Sequence, residues 1–302
     1  MRNGILLSFL TAGVLLSGCS KNEANDLSDG GRAAIRLGSG VAMVSKAPVT
    51  SGTQFEAGIA GWENTATETY AAAPLWNTTI QTTANADEGQ TVTWTVQQYY
   101  NADEGIATYM KAWHPAGTLS GTTVTFENTD GRVDALLAPV VSGTKLDKDG
   151  KVLAFAHQTA QINFKVQAGA GLAENTTLRS IKIKDAQLPT GFDLTKEMTD
   201  AVTYGETADL TIPGITADAV TIAETASPVG NPVMIKPITG NTFSIDVETN
   251  NATYTGKTVT ITGENIEAGT AYDVTLTFSQ SEITLKATVT DWKTATGSAE
   301  IE

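Results

Sequence analysis

Two stretches near the end of the chain decide its fold class: Tyr272-Asp273-Val274-Thr275-Leu276-Thr277-Phe278 and Ile283-Thr284-Leu285-Lys286-Ala287-Thr288-Val289. In each, apolar and polar residues alternate strictly. Side chains on a strand point to opposite faces with a period of two, so each stretch predicts a strand with one buried face and one wet face. The same alternation recurs upstream. Phe243, Ile245 and Val247 form one such series, Val259 and Ile261 a second, Ile162, Phe164 and Val166 a third, and Val92, Trp94 and Val96 a fourth. The wet positions are largely threonine, whose branched Cβ suits the pleat without exposing hydrocarbon. This is the pattern of antiparallel sheet.

Turn residues divide the runs. Asp147-Lys148-Asp149-Gly150 should close a hairpin, and Asn250-Asn251, Thr190-Gly191 and Gly263-Glu264-Asn265 should act similarly. Residues 101–114 predict one short helix or a structured loop. Residues 167–177, rich in small and polar side chains, mark a domain boundary. The expected organisation is therefore a signal over residues 1–18, a tether over 19–31, and two all-β sandwiches in series over 32–168 and 169–302.

The N-terminus supplies an address. Arg2 precedes an apolar run from Ile5 to Leu16, which ends in Leu16-Ser17-Gly18-Cys19. The run is too short for a membrane span. Leucine, two small residues and cysteine form the pattern of bacterial lipoprotein signals, in which the cysteine is acylated and becomes the first residue. The plainer alternative is an ordinary signal cut near Gly18. Lys21 and Glu23 faintly resemble the charged export signal of Bacteroidetes surface lipoproteins.

Of the 302 residues, 19 are basic and 33 acidic. Arg2 is the one charge before Cys19, so the mature chain carries 18 basic residues and a net charge of −15. No basic stripe exists to displace counterions from phosphates, which argues against nucleic acid as a partner. One cysteine and two histidines exclude a Cys-rich or His-rich metal site by count. No cofactor is implied.

One ordered set of motifs goes beyond composition. Asp134-Ala135-Leu136-Leu137-Ala138 is followed by Val152-Leu153-Ala154-Phe155-Ala156-His157 and then by Ala160-Gln161-Ile162-Asn163-Phe164-Lys165-Val166. A strand is expected from about Arg32 to Val44, a Leu-x-Ser-Ile-x-Ile strand opens the second half at Leu178, and Val289-Thr290-Asp291-Trp292 lies near the end. This set resembles the fimbrillin-like (Mfa-like) family of Bacteroidales. The resemblance implies two transthyretin-like sandwiches, export as an outer-membrane lipoprotein anchored through Cys19, and assembly with other fimbrial subunits. It also implies a role in adhesion to a host or bacterial surface receptor.

In polymerising relatives an Arg-specific protease removes the first strand, and a strand from the next subunit fills the groove. Here residues 33–44 would be displaced, with Ile35, Leu37, Val41 and Met43 as the plug. Candidate processing sites are Arg32, Arg36 and Lys46, the last standing where the family usually has arginine. A segment held centrally in a sheet, with partners on both sides, would argue against such exchange. The other expected end of the exchange is a donor or final core strand in residues 287–302.

His157 lies on an alternating strand and is expected to pack in the sheet rather than catalyse. Among His114, Tyr99-Tyr100, Trp62, Trp76 and Trp113, the tryptophans would supply the platform of a surface glycan-binding lipoprotein, the rival function. Asp147-Lys148-Asp149-Gly150 lacks the distal glutamate of a calcium loop. No nucleophile constellation calls for an enzyme, so no catalytic residue is assigned.

Overall fold

The computed structural model describes residues 27–29, 31–41, 49, 52–65, 69–84, 90–280 and 283–291. Cys19, Met43, Lys46 and Trp292 lie outside them, as does most of the expected C-terminal donor.

Every regular element described is a strand. The first seven are β1 (Leu27–Asp29), β2 (Arg32–Ala33), β3 (Gly38–Val41), β4 (Gln54–Asn64), β5 (Trp76–Thr83), β6 (Gln90–Thr91) and β7 (Thr93–Trp94). There follow β8 (Ala107–His114), β9 (Thr118–Ser120), β10 (Thr123–Thr125), β11 (Leu136–Leu137), β12 (Val141–Gly143) and β13 (Val152–His157). Next come β14 (Ala160–Ala168), β15 (Thr177–Ala186), β16 (Pro189–Asp193), β17 (Val202–Tyr204), β18 (Ala208–Thr211) and β19 (Val220–Thr221). The last five are β20 (Ser227–Ile235), β21 (Thr242–Thr249), β22 (Thr253–Thr260), β23 (Thr270–Phe278) and β24 (Ile283–Asp291).

The second half is a sandwich of two sheets, β20-β14-β23-β24 and β18-β15-β21-β22, with β19 added to β15. The alternating residues form its core: Ile162, Phe164, Val166, Phe243, Ile245, Val247, Tyr272, Val274, Leu276 and Phe278 are all buried between the sheets. The Asn250-Asn251 turn closes the β21–β22 hairpin, where the Thr249 N–H donates to Ala252 O at 2.8 Å.

In the first half a nine-stranded sheet runs β6-β3-β13-β11-β8-β4-β5-β7, with β12 also on β8. It curls until its two ends meet, and the Ser39 and Thr82 hydroxyls bond across the seam. Its concave face encloses Ile35, Phe55, Ile59, Ile80, Met110, Leu136 and Phe155. Its other face carries Trp62, Trp113 and Leu137, which pack on Val124 and Phe192. Those two belong to a separate sheet, β17-β16-β10-β9.

Several expectations are corrected here. Residues 107–114 form strand β8 rather than a helix. β14 pairs with β20 and β23, so sheet membership changes near Gln158 and Thr159, ahead of the boundary expected between residues 168 and 169. β16 and β17 come from the second half yet pair with β10 of the first, so the two halves interlock rather than follow in series. Thr190-Gly191 sits inside β16 and makes no turn. The strands flanking Asp147-Lys148-Asp149-Gly150 do not form a hairpin, because β12 pairs β8 while β13 pairs β11 and β3. Two ladders, β3–β13 and β14–β23, are parallel. Val96, expected inside, is 58% exposed.

Candidate assembly interface

Residues 33–41 plug the curled sheet. Ala33, Ile35, Leu37, Ser39 and Val41 are all buried, whereas Arg32 and Arg36 are exposed. Every second residue is therefore inward; Gly38 and Gly40 occupy the alternate positions, and Gly40 is buried as well where β3 lies within the sheet. Sequence reasoning missed Ala33 and Ser39, although their odd numbering already placed them with the others. Burying Ile35, Leu37 and Val41 contributes up to roughly 5 to 9 kcal/mol at 1.5–3 kcal/mol per side chain.

The backbone of this plug is bonded along its length. The Ile35 N–H donates to Gln98 O and the Tyr100 N–H to Ala33 O, each at 2.9 Å. The Gln97 amide donates to Ile35 O at 2.9 Å. Further on, the Val92 N–H donates to Leu37 O at 3.2 Å and the Gly38 N–H to Lys151 O at 2.8 Å. β3 then runs parallel to β13, from Gly38↔Val152 to Val41↔Phe155. On its other side it meets β6 through two residue pairs, Gly38↔Thr91 and Ser39↔Gln90. The segment thus has partners on both flanks, unequally. It is one strand in from the sheet edge, and its outer cover is short.

Both described arginines precede the ladder of β3. Cleavage after Arg36 would remove Ala33 and Ile35 but leave Leu37, Ser39 and Val41 seated. Only a cut beyond Val41, as at Lys46, would free the whole plug.

Beside the plug, the acidic-apolar motif has a structural role. β11 pairs β13 with Leu136 opposite His157, and pairs β8 with Leu136 opposite His114. Asp134 Oδ1 lies 2.9 Å from His157 Nδ1, with the two side chains 0% and 1% exposed. The Gln158 N–H donates to Ala135 O at 2.8 Å. No substrate can reach a pair so enclosed. His114 Nδ1 contacts Glu56 O at 2.6 Å, and burial pushes the imidazole pKa below its ordinary value, against the raising effect of that backbone contact. Burial, aided by Asp147 and Asp149, lifts the Tyr100 hydroxyl to about 12, which keeps it neutral.

The tryptophans do not make a platform. Trp62 and Trp113 are buried against the second sheet, with their indole N–H groups donating to Ala72 O and Ala116 O at 2.9 Å each. Trp76 is half-buried on the concave side, edge-on to Trp94 at 6.1 Å. The three indoles occupy opposite faces of one sheet, which removes the geometric basis for stacking a sugar chain on them.

These features define an all-β protein in which a short N-terminal plug completes a curled sheet interlocked with a second sandwich. A model of the fimbrillin-like family matches residues 46–292, and the chain belongs to that family. Among solved structures it is similar to a candidate cell adhesion protein from Bacteroides uniformis, at 17% identity, TM-score 0.56, covering 87% of this chain and 98% of that one. A candidate cell adhesion protein from Bacteroides ovatus gives the same identity and TM-score, covering 87% and 99%. A fimbrial assembly protein from Parabacteroides distasonis follows at 11% identity and TM-score 0.51, covering 86% and 99%. At these identities the likeness establishes the shared fold. No curated protein sequence gives a significant match.

Proposed function

We propose that this chain is a structural component of a surface fimbrium, exported as a lipoprotein through Cys19 and associated with other subunits, and that the groove now filled by residues 33–41 is where a neighbour's strand would enter if the plug were removed. Its role is assembly and adhesion rather than catalysis. The plug carries this reading: five inward residues on one short segment complete an apolar sheet whose outer cover is two residues long. Removal of the plug would expose apolar surface and the unpaired edge of β13. An extended strand from a neighbour satisfies both needs at once, by β-augmentation.

The two-sided pairing makes this exchange conditional. An incoming strand must replace the β13 ladder and also remake the contacts to residues 97–100. The exposed arginines cannot release β3, so this chain fits a tip, accessory or anchor position that keeps its plug better than a stalk position that loses it. A receptor on a host or bacterial surface and attachment to the outer membrane belong to the same proposal.

The test is to recover the protein from cell surfaces and sequence its N-terminus. An acylated Cys19, or a start at Ala33 or Leu37, supports retention of β3. A start at Ala47 in an assembled filament would overturn retention and make the chain a stalk subunit. A soluble, unlipidated protein free of any fimbrium would overturn the reading as a whole.

A further inference from the structure

Natural β-proteins blunt their exposed sheet edges with short strands, prolines, bulges or covering loops, since an unpaired edge recruits other strands. Most edges here are managed in these ways. β6, β7, β9 and β17 have two or three residues each. β20 carries Pro228 and Pro232 and a register shift against β14, and loops cover it: the Asn231 N–H donates to Pro213 O, Met234 N–H to Gly131 O and Lys236 N–H to Gln187 O. β22 has a register shift against β21 near Gly256, at φ +60°.

β24 is different. It pairs with β23 over nine consecutive residues with no shift in register, and it holds no proline. Among the described residues no strand forms a ladder with its outer side, although β22 of the facing sheet lies close beside it. Leu285 is half-buried and Val289 is 40% exposed on the apolar face of this edge, while Thr284, Lys286 and Thr288 face outward.

We propose that β24 is a self-association edge, at which two copies of this chain pair β24 to β24 in antiparallel fashion about a two-fold axis. The occupant follows from the strand's own sequence. A two-fold centred on Ala287 sets Lys286 opposite Thr288 of the other copy and Leu285 opposite Val289. Leu285 and Val289 then meet across the two-fold and no like charges face each other, while Ile283 falls opposite Asp291 at the ends of the ladder. Centring on Lys286 would oppose two ammonium groups, and centring on Leu285 would leave Val289 uncovered. The result is a continuous eight-stranded sheet across the dimer. A pair of single strands is a small interface, so the dimer is concentration-dependent. It lies in the second sandwich and stands whether or not the plug is exchanged.

The experiment uses the chain from residue 19 onward with Cys19→Ser, studied by light scattering between about 1 and about 500 µM. The expected mass rises with concentration toward two chains and no further. Val289→Lys, at a partly exposed position, abolishes the rise and leaves the melting temperature unchanged. As an independent readout of register, Lys286→Cys mixed with Thr288→Cys under oxidising conditions yields a cross-linked dimer, because directly opposed strand residues come within disulfide reach. A constant single-chain mass, a rise insensitive to Val289→Lys, growth beyond two chains, or absence of the mixed disulfide would each overturn the proposal.

Discussion

Gly58 shows how tightly single residues are specified. It lies opposite Trp113 in the β4–β8 ladder, and a Cβ there would fall 2.4 Å from the indole Cε2. Gly61 makes the same space for Trp76, opposite it on β5, at 2.2 Å. Because Trp113 is buried and its N–H is tied to Ala116 O, the ring has no easy retreat. Gly58→Ala is therefore expected to cost about 1 to 3 kcal/mol of overpacking strain, read as a lower urea midpoint. Gly105→Ala, with its nearest neighbour at 3.4 Å and an ordinary φ, should stay within about 0.5 kcal/mol. His114 carries a pH signature. Its pKa is lowered in the fold, so between that value and the ordinary 6.5 the unfolded chain binds more protons. The stabilising effect of the neutral ring is complete above about 6.5 and lost as pH falls through this window. His114→Gln should flatten the stability profile over that window, measured by denaturant titration at several pH values.

At the scale of elements, alternation made the second sandwich legible and the first much less so. β21, β23 and the inner face of β14 bury one side on a single core, so their sequences alternate visibly. β8 is central and packs on both faces, with Met110 and Ala112 on one core and Trp113 on the other, and its alternation is erased. That is why residues 101–114 read as a helix or loop. Strands of two or three residues carry too little pattern to be seen, and parallel pairing leaves no turn signal between partners. The plug was legible in Ile35, Leu37 and Val41, since period two survives there. The tryptophans misled because the glycines that make room for Trp113 and Trp76 lie opposite them on a neighbouring strand and far from them in sequence. The plug also yields an element-scale prediction. Ile35→Ala, fully buried, should cost about 2 to 5 kcal/mol, whereas exposed Arg36→Ala should cost within about 0.5. Arg-specific digestion of the folded protein should give a product beginning at Leu37 that does not grow beyond two chains, as checked by mass spectrometry and light scattering. A polymer forming from that product would show that residues 37–41 do not hold the groove.

For the whole molecule the decisive feature is interlocking. The sheet β17-β16-β10-β9 takes two strands from each half of the sequence, and Phe192 on β16 is buried with Trp62, Trp113 and Val124 of the first half. Lys111 on β8 strengthens the junction: its ammonium donates to Leu194 O at 2.7 Å and Lys196 O at 3.1 Å, and lies 3.8 Å from the centroid of the Tyr70 ring. Across the seam the Met234 N–H donates to Gly131 O and the Tyr204 hydroxyl to Gln158 O at 3.2 Å. Such a junction resists separation, because neither half can be pulled away without breaking a sheet of the other. The same geometry predicts cooperative unfolding. Phe192→Ala opens a cavity in the shared core and should cost about 3 to 5 kcal/mol. The loss should lower one common transition, seen equally by hydrogen exchange in β8 of the first half and β23 of the second. Two separated transitions, with β23 unaffected, would mean that the halves fold independently and that the shared sheet transmits nothing between them.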